Sequence, residues 1–346
     1  MRTLGFLVRF IMLGFWIGLW CSCGGSDPQR GLRELVVYTS QDEIYAREIF
    51  KRFEQKTSIR ILADYDTEAN KSVGMVSKLL HEKAAPKCDV YWNNQVERTI
   101  QLKNRGVLAK TLSLQAAAFE DKWKDPEGYW LGFAARIRVL VYDTEKIKKE
   151  ELPRSILELR DGKWKGKVAI AYPLFGTTAS HAAALFCALG EEGGKKFFED
   201  LLKNEVQVLA GNAQVKDAVV DGTALLGLTD TDDVCLAQTQ GAKVHFHFLD
   251  QEEGGLGVLL IPNTVSLIQG AVHPQEAQEF IDFLLSKEVE EELARLPSKQ
   301  IPLRRDATPP KEMPAIGDLK TMKVSFEEIA KKLEWSDLFL QKLFAK

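Results

Sequence analysis

Between Gly227 and Asp233 the chain reads GLTDTDD, which sets Asp230, Asp232 and Asp233 within four residues, interleaved with two threonines. Carboxylates packed this closely repel one another unless a cation, backbone N–H groups or solvent receive them. One outcome is a helix start. Asp230 or Thr231 would cap the stretch DDVCLAQ, and Asp232 and Asp233 would sit at its positive end. Another is a ligand clamp, in which these oxygens and Asp42 hold a hard cation or a cationic organic solute. The two are compatible, since one Asp can cap while its neighbour faces a ligand.

A third outcome is catalytic. The run LLGLTDTDDV resembles the first motif of haloacid-dehalogenase-type phosphotransferases, which implies Asp230 as nucleophile, Asp232 as acid/base and Mg²⁺ on the phosphate. That motif opens its domain, and a Lys and an acidic pair should follow. Only 113 of the 346 residues follow Asp233, and no acidic pair after a strand is evident among them. Other polar residues admit quieter roles. His245 and His247 alternate in VHFHFLD and suit either a metal pair or an edge strand. Arg136 and Arg138 alternate within the apolar FAARIRVLVY, where one should face a ligand or form a structural ion pair.

These residues need a scaffold, and the sequence supplies an alternating one. LVVYTS leads to DEIYAREIFKRFEQKT, with Tyr45, Ile49 and Phe53 at helical spacing and an S-x-x-E pair, Ser40 and Glu43, suited to a capping box. IRILADYD, CDVYW, KVAIAYP, VQVLA and ALLGLTD then alternate with amphipathic stretches, the pattern of α/β sheets covered by helices. GYWLGFAARIRVLVYDTEKI and GGLGVLLIPNTVSLIQGA are longer, β-branched and Gly-punctuated, as strands crossing between two lobes would be. After Pro297, Pro302, Pro309 and Pro310 a helical tail begins near Ser325.

The N-terminus carries Arg2 and Arg9 ahead of the uncharged FIMLGFWIGLW, a secretory-type leader too short for a bilayer span. Cys23, after Ser22 and before two glycines, resembles the lipidated cysteine of a bacterial lipoprotein, with Trp20 where such signals usually carry Leu. Cleavage without lipid is the alternative. Removing residues 1–22 leaves 324 residues, with 44 basic against 49 acidic side chains, so a net charge of −5. With no basic stripe, nucleic acid is excluded as a partner class. Cys88, Cys187 and Cys235 form no disulfide framework.

Taken together, VVYTSQDE, DVYWNNQ, GFAARIRVLVYDTEKI, WKGKVAIAYPLFGTT, GNAQVKDAVVDG, GLTDTDD, IPNTVSLIQGA and EAQEFIDFLLS resemble the iron(III)-type periplasmic solute-binding proteins of ABC importers, within the family 1 extracellular binding proteins. The resemblance runs from Leu35 to Leu303. It implies an α/β, two-lobe type II periplasmic-binding fold with the ligand in the cleft. The implied division is a signal peptide over 1–22, a linker over 23–33, lobe one over 34–130 plus 265–305, lobe two over 131–264 and a C-terminal helical segment over 306–346. It also implies a non-enzymatic, monomeric protein, tethered outside the cytoplasmic membrane by a lipid on Cys23 and serving an ABC permease.

The cargo it implies is ferric iron or another hard metal with phosphate or carbonate as synergistic anion, and no catalytic cofactor. The alternative is a small organic or phosphorus-containing solute without metal. The family's His, Glu and paired Tyr ligands fall here on Asp42 or Gln41, on Asn94, and on Thr231 and Asp232, so the tyrosinate pair is absent. Metal ligation therefore passes to Asp42, Asp230, Asp232 and Asp233. The family's anion turn is matched by Gly176, Thr177 and Thr178 with Asn212, a helix start rich in free N–H groups and hydroxyls. Ser40, Asn94, Arg136 and Thr231 complete the expected ligand set.

Overall fold

The computed structural model describes residues 33–66 and 73–345; the leader and Cys23 lie outside them. Strand β1 (Glu34–Thr39) feeds helix α1 (Glu43–Thr57), whose Tyr45, Ala46, Ile49, Phe50 and Phe53 form one buried stripe. The expected capping box at Ser40 does not form. Asp42 holds the N-cap position without a side-chain bond, and Ser40 Oγ instead meets Asp66 Oδ2 (3.0 Å) and the Tyr91 hydroxyl (2.9 Å). Ser40 is buried and lies two residues before the N-cap, so its hydroxyl bonds elsewhere than to the first turn.

Next come β2 (Arg60–Tyr65), α2 (Val73–His81), β3 (Val90–Asn93), α3 (Val96–Asn104) and the short β4 (Leu108–Ala109). Strand β5 (Leu131–Asp143) is buried along all 13 residues. Beyond it lie β6 (Val168–Ala171), α4 (Gly176–Lys203), β7 (Gln207–Leu209), α5 (Asn212–Val220), β8 (Leu226–Asp230), α6 (Thr231–Thr239) and β9 (Val244–His247). The chain returns through β10 (Leu260–Ile268) to α7 (Pro274–Leu284), α8 (Lys287–Arg295) and α9 (Phe326–Phe344). Among the described residues no helix is long and apolar enough to cross a membrane.

The strands run in the order β2-β1-β3-β10-β5-β8-β6-β7, with β4 beside β10 and β9 beside β5. One group, β1 to β3, is parallel, and so is the other, β6 to β8. Antiparallel β10 and β5 join them. The first half of β5 pairs with β10 and its second half with β8 and β9, so one strand belongs to both groups. Its register against β10 shifts between Pro262 and Asn263, opposite Ala134, which has a φ of +39°. That bulge bends the strand where the two groups meet.

Two large apolar cores flank this junction, one under α1, α7 and α8 and one under α4 and α9. Helix α9 is anchored by its Ser325–Glu328 capping box and buries Ile329, Leu333 and Leu340. Trp335 and Phe339 pack edge-on to Phe186 of α4, and Phe344 meets Phe198 and Tyr172. The opposite side of α9 reaches α3 through Arg98–Asp337 at 2.8 Å. The tail is thus built into the body of the fold.

Candidate functional site

In both strand groups the parallel strands end at the same edge, where each hands over to a helix. In open α/β sheets this edge is where ligands collect. A cavity of about 230 Å³ lies there. Asp42, Asn94, Arg136, Gly176, Thr177, Thr178, Asn212, Asp230, Asp232 and Asp233 all border it. Ser40 and Thr231 do not: Ser40 is held as above, and Thr231 Oγ1 accepts the Ile137 N–H at 3.2 Å. Gln41, the other position matched to the family's His, is also at the wall, and two further residues there, Lys216 and Tyr172, carried no sequence signal strong enough to select them.

Helices α4, α5 and α6 open onto the cavity with no side-chain bond from their N-cap residues, although in α6 the Asp233 N–H donates to Asp232 Oδ1 at 3.2 Å. The first intrahelical bonds come from Ala179 and Val215, so the N–H groups of the residues before them have no carbonyl of their own helix to meet. These convergent N-termini carry partial positive charge and favour an oxyanion. Gly227 lets α5 come this close to β8, because a Cβ there would stand 2.6 Å from Val215 Cγ1.

Asp230 occupies the N-cap position of α6, as one sequence expectation had it, but its carboxylate makes no cap bond. Arg138 Nη1 donates to Oδ1 at 2.8 Å, while Thr177 Oγ1 (2.6 Å) and Asn212 Nδ2 (3.0 Å) donate to Oδ2. Arg138 and the Thr178 hydroxyl also donate to Asn212 Oδ1, both at 3.1 Å. This buried knot ties the starts of α4, α5 and α6 together. Both oxygens of Asp230 are engaged in it.

Asp232 stands differently. Burial raises its carboxyl well above the ordinary range; Arg136 opposes the rise, and Asp233, Asp230 and Asp42 add to it. Oxygens of Asp230, Asp232 and Asp233 lie within 4.8 Å of one another, a spacing a single hard cation could bridge. Arg136 is buried beside them, its Nε 3.7 Å from both Asp230 Oδ2 and Asp232 Oδ2. Both alternating arginines thus point toward the acidic cluster, where the sequence suggested one.

The histidines play other parts. His181 is buried in α4, and burial followed by the Arg138 charge lowers it to about 3, so it is neutral. His245 and His247 lie on β9, away from the cavity, the first exposed and the second half-buried. Burial, and then Asp232, pushes the Cys235 thiol up to about 12, which makes it an inert core thiol.

Residues 98–332, more than half of the chain, match the family described as bacterial extracellular solute-binding protein. The chain belongs to this family. Among curated proteins it is similar to "Iron uptake protein A1" of Synechocystis sp., 26% identical over 90% of this chain and 89% of that one. It is also similar to the "Fe(3+)-binding periplasmic protein" of Serratia marcescens, 23% identical over 77% and 78% of the two chains. Among solved structures, iron-bound HitA of Pseudomonas aeruginosa superposes with a TM-score of 0.81 at 24% identity, covering 89% of this chain and 99% of that one. The fold is therefore the two-lobe periplasmic-binding fold, and the cavity lies at the strand ends of this solute-binding protein.

Proposed function

We propose that this chain is the cargo-binding component of an ABC importer and that its cargo is ferric iron, or another hard metal ion, taken up with an oxyanion. The observation that carries this is the presence of two opposite poles in one small cavity. Uncapped helix N-termini and Lys216 favour an anion, while the oxygens of Asp42, Asp232 and Asp233 favour a cation. Four carboxylates, Asp42, Asp230, Asp232 and Asp233, face Arg136, Arg138 and Lys216. A cargo that satisfies both poles brings positive charge to the carboxylates as well as an anion to the helix starts. The printed names of the two curated relatives support iron as that charge. Tyr172 at the wall offers one phenol, though the family's adjacent tyrosines are absent.

In this reading the lobes follow the expected division, 34–130 plus 265–305 and 131–264, hinged on β5 and β10. Cargo favours the closed state by its extra affinity for that state, and closure is what the permease recognises. No catalytic residue is required. Cys23 carries the lipid, and Cys23→Ser should move the protein from the membrane fraction to the soluble one; retention in the membrane would refute the anchor.

A second reading is favoured by the saturation of Asp230: a phosphorus-containing organic solute whose ammonium replaces the metal at Asp232 and Asp42. One experiment separates the two. Protein purified without chelators is analysed for bound metal, then titrated calorimetrically with ferric ion plus phosphate and with an aminoalkyl phosphonate. Stoichiometric iron and phosphate-dependent heat support the first reading. Heat from the phosphonate alone, with no metal bound, replaces it with the second.

A further inference from the structure

Arg136 is anchored on several sides at once. Its Nη1 donates to Asn263 Oδ1 at 3.0 Å and its Nη2 to the main-chain carbonyl of Asn94, so β10 and the turn before α3 fix its fork. Asn263 is held in turn: its amide donates to the carbonyl of the bulge residue Ala134 and to Gln300 Oε1. The remaining edge, Nε, faces Asp230 and Asp232 with no closer acceptor among the described residues. The side chain is 3% exposed. A guanidinium cannot shed its proton to relieve repulsion, and one braced in this way cannot swing aside without breaking those bonds.

From this geometry we infer that Arg136 is a specificity-determining residue that makes metal capture depend on the anion. The inference rests on the metal-plus-anion reading above and names what enforces the pairing. A trivalent ion entering the carboxylate cluster meets a fixed positive charge already facing one of its ligands, Asp232, and the structural Asp230. Unaided, it must overcome that charge, which sits on a side chain buried from water where screening is weaker. An oxyanion on the helix N-termini restores neutrality and lets the ion stay. Cation and anion then bind with positive coupling, and by linkage each raises the affinity of the other by the same factor. Selectivity follows from the same charge. A bare divalent ion, with a weaker pull on the carboxylates, is turned away unless it too brings an anion.

The test measures the affinity of the mature chain for ferric ion, supplied from ferric nitrilotriacetate, with and without inorganic phosphate. Binding is followed by quenching of intrinsic fluorescence and independently by thermal shift. In the native chain phosphate should raise ferric affinity about 100-fold, within the usual span of coupled sites. In Arg136→Met the factor should fall below about 5, chiefly because affinity without phosphate increases. Arg136→Lys keeps the charge and should keep most of the factor. Arg136→Gln, a polar replacement able to reach Asn263, gives a second neutral variant if the Met chain does not fold. Equal phosphate factors in native and neutral variants would overturn the inference while leaving the cargo reading intact. A native chain that binds no ferric ion in either buffer would overturn both.

Discussion

Replacing Asp230 and replacing Asp232 should have opposite consequences, although the two residues are neighbours in one acidic run. Asp230 is 3% exposed and receives Arg138, Thr177 and Asn212. Asp230→Ala leaves the Arg138 guanidinium buried without its counter-ion, a loss of about 3–5 kcal/mol for a broken buried pair. Arg138 keeps weaker acceptors in Asn212 Oδ1 (3.1 Å), Thr177 Oγ1 (3.3 Å) and the Leu228 carbonyl (3.3 Å), which favours the lower end, about 3 kcal/mol. For a chain of this size that corresponds to a fall in Tm of roughly 4–5 °C. Asp232→Asn removes a carboxylate that burial already pushes toward the neutral form, so the cargo-free fold should lose less than about 1 kcal/mol while ferric binding is abolished. Urea denaturation of the cargo-free proteins, followed by circular dichroism, measures both. If Asp230→Ala unfolds within 1 kcal/mol of the native chain, the knot at the three helix starts is not structural, and Asp230 returns to the cargo ligands.

Further expectations concern pH and packing. Burial pushes the Glu290 carboxyl up to about 7, against the N–H groups of Ala134, Arg304 and Leu303 that lower it. The folded state then holds more protons than the unfolded one between about pH 4.5 and 7, so this group's contribution falls as pH rises, by up to about 1.4 kcal/mol per unit. Denaturation midpoints at pH 5 and pH 8 test the sign; a cargo-free protein equally stable or more stable at pH 8 would contradict it. For the cleft the sign is reversed. Cargo must displace the proton that burial favours on Asp232, so ferric affinity should increase as pH rises, and calorimetry at pH 5.5 and 7.5 checks this. Gly227→Ala should cost about 1–3 kcal/mol by forcing α5 off β8 and should weaken phosphate-dependent binding; full phosphate dependence would show that the spacing of α5 does not matter.

Much of the architecture was legible because it rests on periodicity. The βα alternation, the long apolar strands β5 and β10 and the helical tail are all written in residue spacing. The acidic run, Arg136 and the LFGTT turn also declared themselves as unusual residues in apolar settings. What could not be read was commitment. Asp230 and Asp232 look alike in the sequence, and only the approach of Arg138, Thr177 and Asn212 from distant segments distinguishes a structural carboxylate from one facing cargo. Lys216 is hidden between Val215 and Val219, residues that mark the core face of α5, so its place at the cavity wall depends on how that helix docks. Ser40 and Glu43 fit a capping pattern, yet the hydroxyl was claimed by Tyr91 and Asp66 across the sheet. The docking of α9 against both α3 and α4 joins residues 239 and 141 positions apart and left no local trace.

The seating of α9 bears on how the protein should be handled at the bench. Phe344, two residues from the chain's end, lies 6.3 Å ring to ring from Tyr172, and Tyr172 forms part of the cavity wall. A fluorophore placed in the last turn of α9, at Phe344, would therefore stand one side chain away from the cavity. Such a label would make a sensitive reporter of occupancy, and an intrusive one, so affinities should be compared with and without it.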